Sequence, residues 1–155
     1  MISTLNLVPL LRSGEKFKDG TFKSQRTFLD LVVDGVSLWE RLGKRHDMVS
    51  LLCSDFAELE TANGVDRILL KSDADFANDR RSLFVCAECG DLGCGAITVL
   101  VKRTADRVVW DDFGHENTYE ERLTSDDYAD VGPFQFEFHQ YESTFLTALA
   151  KLKSL

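Results

Sequence analysis

The sequence predicts an α+β fold: a mostly antiparallel β-sheet of about five strands, packed by two or three helices including a C-terminal one, in a single domain over residues 1–155. Three observations carry this. Ile97, Val99 and Val101 alternate with Thr98, Leu100 and Lys102, the period of a half-buried strand. Val108-Val109-Trp110 follows after a connection of about five residues, which makes the two strands antiparallel neighbours. Phe134, Phe136 and Phe138 alternate with Gln135 and Glu137. The period then turns helical, with Tyr141, Phe145, Leu149 and Leu152 on one face.

The other elements follow in order. Ile2 to Leu11 is apolar and reads as a strand, and Arg12 to Arg26 as a loop or hairpin turn. Phe28 to Val33 is rich in branched residues and is a strand, stopped by Asp34-Gly35. Ser37, with Glu40 three residues on, forms a capping box for a helix that ends near Gly43. Met48 to Cys53 is a short strand or buried turn. Asp55 to Ala62 is a candidate helix, and Asn63-Gly64 is either its stop or a hairpin turn. Val65 to Leu70 reads as extended, and Lys71 to Arg81 as a charged loop. Leu83 to Ala87 is a strand running into a cysteine-glycine turn. Gly114 to Val131 is an acidic loop with one helical turn, closed by Gly132-Pro133.

Composition narrows the function classes. The 155 residues are 44% hydrophobic, including 11 Phe, enough for a sizeable aromatic core. The net charge of −8 argues against a broad nucleic-acid footprint, which needs clustered Lys and Arg, and suits a basic protein partner. No stretch approaches the roughly 20 apolar residues of a membrane span. The N-terminus has no basic region and Pro9 interrupts its apolar run, so it does not read as a signal peptide. Four cysteines without such a signal suggest reduced thiols and a cytoplasmic location.

CxxCGDLGCG at Cys86–Gly95, VVWDDF at Val108–Phe113 and GPFQFEFHQYESTFLTAL at Gly132–Leu149 together resemble a family of uncharacterised bacterial proteins. That family's pattern has a cysteine-glycine turn, a VxWxxF strand and a GPFxF segment followed by a QY-containing helix. LVVDGVSLWERLG, from Leu31 to Gly43, is similar to its early strand-turn-helix. The resemblance covers roughly Phe28 to the C-terminus. It departs at Phe138, where the family pattern has a polar residue. It implies a shared architecture and a bacterial context, and carries over no catalytic residue.

Cys86, Cys89 and Cys94 have a spacing close to that of a zinc knuckle, with glycines that let backbone wrap an ion. His115 is the first candidate for a fourth ligand, followed by Cys53, His46 and His139. Two other readings stand beside zinc: small reduced cysteines at a tight turn, and a disulfide or redox pair. Glu88 and Asp91 oppose thiolate activation, so nucleophilic catalysis is not expected. There is no HExxH, GxGxxG, phosphate-binding GxxxxGKS or GxSxG motif.

The acidic stretch is the second candidate site. Asp111, Asp112, Glu116, Glu120, Glu121, Asp126 and Asp127, interleaved with Tyr119 and Tyr128, suit the neutralisation of a basic surface, and Asp130 extends the charge. No catalytic constellation holds, so a binding role ranks above catalysis. The expectation is a non-catalytic, acidic protein that occludes a basic partner, as an immunity protein does a toxin, with no cofactor unless zinc is bound. The alternative is a zinc-stabilised or thiol-dependent enzyme centred on Cys86, Cys89 and Cys94.

Overall fold

A computed structural model of the chain, describing residues 1–120 and 122–155, bears out the α+β class. Strand β1 (Leu5–Arg12) runs into a short ribbon of β2 (Glu15–Lys16) and β3 (Phe22–Lys23), and the chain returns as β4 (Arg26–Val33). β1 and β4 pair antiparallel in unbroken register from Leu5 opposite Val33 to Arg12 opposite Arg26. The polar stretch after Arg12 is thus a hairpin arm. β5 (Val36–Ser37) completes this smaller sheet.

The main sheet has the order β10-β9-β8-β7-β6, built from β6 (Met48–Ser50), β7 (Arg80–Cys86), β8 (Ala96–Arg103), β9 (Arg107–Glu116) and β10 (Phe134–Glu137), all antiparallel. The two sheets meet where Phe28 bridges Cys53. There the Leu29 amide donates to the Leu52 carbonyl at 2.9 Å, and Ser50 Oγ donates to the Leu29 carbonyl at 2.6 Å.

The helices correct several expectations. Ser37 Oγ does accept from the Glu40 amide at 3.0 Å, as a capping box requires. The segment is nevertheless a single π-helical turn, Trp39–Gly43, followed by a 3-10 turn, Lys44–His46. α1 spans Glu58–Ile68, so the helix passes through Asn63-Gly64, and Val65 to Ile68 are helical rather than extended. Burial decides this: Thr61, Gly64, Val65 and Ile68 form one inward face, and tertiary packing overrides the low helix propensity of Asn and Gly.

α2 (Phe138–Lys151) starts one residue earlier than the alternation suggests, because Glu137 caps it, its carboxylate accepting from the His139 and Gln140 amides. Phe138 is therefore the first helical residue, with the Arg103 guanidinium 3.5 Å from its ring centre.

Trp110, fully buried on β9, centres the core. Phe136, Tyr141 and Phe145 pack around it at centroid distances of 4.9, 5.9 and 6.5 Å. The Tyr141 hydroxyl donates to the Ile68 carbonyl at 2.7 Å and accepts from Trp110 Nε1 at 3.1 Å. One phenol therefore satisfies polar groups from α1 and β9, each of which would cost about 1–3 kcal/mol unpaired in this interior.

Candidate metal centre

β7 leaves the sheet at Cys86 and β8 re-enters at Ala96, so the cysteine loop is the connection between two central strands. The Gly90 amide returns to the Cys86 carbonyl at 2.9 Å, closing a tight turn in which Gly90 has φ +69°. Asp91 then caps a 3-10 turn, Leu92–Cys94, by accepting from the Gly93 amide at 2.8 Å. Gly95, at φ +109°, swings the chain back into β8. A side chain there would be strained and would meet His115 Nε2 at 2.9 Å.

This path gathers three sulfurs. The Sγ atoms of Cys86, Cys89 and Cys94 all lie within 4.8 Å of one another, and those of Cys89 and Cys94 are 3.6 Å apart. Cys86 is partly buried and the other two are exposed. A backbone N–H group reaches one of the sulfurs, the Asp91 amide donating to Cys89 Sγ at 3.4 Å. Burial opposes ionisation of Cys86, but the backbone amides of Cys89 and Glu88 nearby, with the thiols of Cys89 and Cys94, outweigh it and hold Cys86 below the ordinary thiol range. Cys94 is pushed up to about 11, first by its contact with the Cys89 thiol and then by the charge on Cys86. Three sulfurs this close together, with Cys86 favouring its anion, are a group that a cation would complete.

The loop is anchored from outside. Glu88 Oε1 accepts from Arg12 Nη1 and from the Ser24 amide, both at 2.8 Å, and its carboxyl is held down at about 2 chiefly by Arg12. Arg26 Nε donates to the Ala87 carbonyl at 2.7 Å and its Nη2 to the Glu88 carbonyl at 3.1 Å. Glu88, which in sequence opposes a thiolate, is thus answered by two arginines of the β1–β4 hairpin. Arg12 and Arg26 carry no sequence signal for this role, since their partners lie 60 or more residues away.

The other nominated ligands lie elsewhere. Among the described residues the group holds the three cysteines alone. The His115 ring is stacked on His46 at 4.3 Å, and His46 Nε2 lies 2.7 Å from the Tyr128 hydroxyl. Burial first lowers the pKa values of both histidines; His115 and Arg45 add to this at His46 against Asp127, and at His115 Glu116 opposes it while Arg45 adds to it. Cys53 is fully buried between the sheets, its thiol pushed up to about 11 by that burial. His139 sits exposed in the first turn of α2.

The acidic stretch is largely committed within the chain. Arg80, 2% exposed, reaches Glu116 Oε2 and Asp112 Oδ2 at 3.0 Å each. Asp112, at φ +56°, sits on the irregular part of β9, and its amide is held by Asp111 Oδ1 at 2.8 Å. Asp127 pairs with Arg45 at 3.6 Å, and Asp130 with Arg41 at 3.1 Å. Tyr128 is buried at 2% exposure, so it offers no contact area to a partner. Tyr119 is 80% exposed, on a turn in which Asn117 Oδ1 accepts from the Tyr119 and Glu120 amides at 2.9 and 2.8 Å. Glu121 lies outside the described residues.

This turn touches the cysteine loop. A Cβ at Gly93 would collide with the Tyr119 ring, and the Thr118 amide donates to the Leu92 carbonyl at 3.4 Å. The two sites expected separately from the sequence are therefore neighbours. Comparison with protein-family models, with curated proteins and with solved structures finds no match.

Proposed function

We propose that the chain is a thiolate metal-binding domain in which Cys86, Cys89 and Cys94 hold one thiophilic cation, zinc(II) in the first instance. The observation that carries this is the convergence of three sulfurs within 4.8 Å on a loop whose amides favour thiolate. Zinc takes three cysteine sulfurs at about 2.3 Å and a fourth ligand. With three protein ligands the fourth position is left to water or to a donor from another molecule, so the ion is exchangeable rather than sealed. Reduced protein titrated against a chromogenic chelator should take up one zinc ion. Cys89→Ser should lose most of that affinity, and His115→Phe should keep it, because His115 packs on His46. Zinc uptake that ignores the cysteine substitution would end this reading.

Tyr119, exposed against the cysteine loop, favours a second role for the same face: docking of a basic protein partner in the manner of an immunity protein. Tyr119 supplies apolar area and Glu120 and Asp126 the charge, while Asp112, Glu116, Asp127 and Asp130 are paired with arginines of the same chain. With a co-purified basic protein in hand, Glu120→Lys should weaken the complex more at low salt than at high salt. An unchanged affinity for both Glu120→Lys and Tyr119→Ala would remove this face from consideration.

A further inference from the structure

We propose that Cys89 and Cys94 are a peroxide-oxidisable pair whose disulfide releases the cation held at the cysteine loop; the release step rests on the metal reading above. The two sulfurs are 3.6 Å apart, and both side chains are exposed to a small oxidant. A disulfide needs an S–S distance of about 2.05 Å, so closure asks for only about 1.5 Å of approach. The backbone can supply that movement. Cys89 and Cys94 lie outside the strands, beside Gly90, Gly93 and Gly95, whereas Cys86 is fixed as the last residue of β7. The pair that moves and the sulfur that stays are thus separated by the fold.

The chemistry balances with hydrogen peroxide as the oxidant. One thiolate of the pair attacks a peroxide oxygen; an S–O bond forms, the O–O bond breaks, and the departing hydroxide takes up a proton as water. The sulfur of the second thiol then displaces the sulfenic oxygen. The S–S bond forms, the S–O bond breaks, and the thiol proton leaves with that oxygen as a second water. Two sulfurs are oxidised and one peroxide is reduced. Cys86 then remains as the only thiolate of the three, too few ligands to retain zinc.

The test uses the full chain, reduced and metal-free, with one equivalent of hydrogen peroxide. The intact mass should fall by two hydrogens, and cleavage before Asp91 should leave Cys89 and Cys94 joined. Cys86→Ser should still lose the two hydrogens, and Cys94→Ser should not. Addition of oxygen without a cross-link, or a cross-link through Cys86, overturns the pair. In the zinc-loaded chain, release of zinc to a chromogenic dye should track the mass loss and reverse with dithiothreitol. A cross-linked chain that still holds its zinc overturns the release step. A reduced chain that takes no zinc yet closes Cys89 to Cys94 refutes the metal reading and the release step, and upholds the disulfide.

Discussion

Arg80 shows how much of the acidic stretch is architecture. Its Nη2 donates to the Thr98 carbonyl at 3.1 Å and to the Asp112 carbonyl at 2.5 Å, while its Nε is shared between Thr98 Oγ1 and Glu116. The guanidinium therefore ties together the irregular stretch where β8 and β9 change register. Arg80→Met keeps the stem but leaves Glu116, 12% exposed, without its cation. Breaking a buried pair from one side costs about 3 kcal/mol, and chemical denaturation should show a loss of that order. Asp127→Asn, which removes an exposed partner of Arg45, should change stability by less than about 0.5 kcal/mol. Equal effects from the two would mean that the Arg80 cluster is as solvated as the surface pair. Sequence counted both acids alike, because the arginine that separates them lies 32 residues or more away from Asp112 and Glu116.

At the scale of elements, what could be read was periodicity, and what could not was whatever another element decides. Tyr141 and Phe145 declared α2 by spacing alone, and both are buried as that spacing implies. The alternation around Ile97 gave β8 for the same reason. In sequence Asn63-Gly64 reads as a local stop signal that would end α1 early. The helix continues because Gly64 packs beneath Leu51, where an added Cβ would lie 3.2 Å from Leu51 Cδ1. A glycine that reads as a break is here a point of close approach. The segment after Ser37 is the opposite case: its cap was legible and is formed, but the chain turns through π and 3-10 geometry to bring Trp39 Nε1 to the Met48 carbonyl at 2.8 Å. A cap starts a helix, and packing sets how far it runs.

At the scale of the whole molecule, the three sulfurs are legible as a spacing, but what holds them is not, because the β1–β4 hairpin does it from the far end of the chain. Arg12, 7% exposed, bridges Asp47 through Nη2 and Glu88 through Nη1, at 2.8 Å each. It thereby connects the hairpin, the turn before β6 and the cysteine loop. The Glu88 amide is one of the groups that favour the Cys86 anion, so Arg12 acts on the sulfur through the residue it clamps. Partners at this remove from an ion typically change metal affinity about 10- to 100-fold when lost. Arg12→Gln should accordingly weaken zinc uptake by about 10-fold, whereas Asp47→Asn, which loosens the other half of the same bridge, should lower stability with little change in zinc affinity. Chelator competition and thermal melting on the same preparations separate the two effects. If both substitutions lower affinity in proportion to stability, Arg12 serves the fold alone; if Arg12→Gln lowers affinity beyond its effect on stability and Asp47→Asn does not, the hairpin is part of the metal centre.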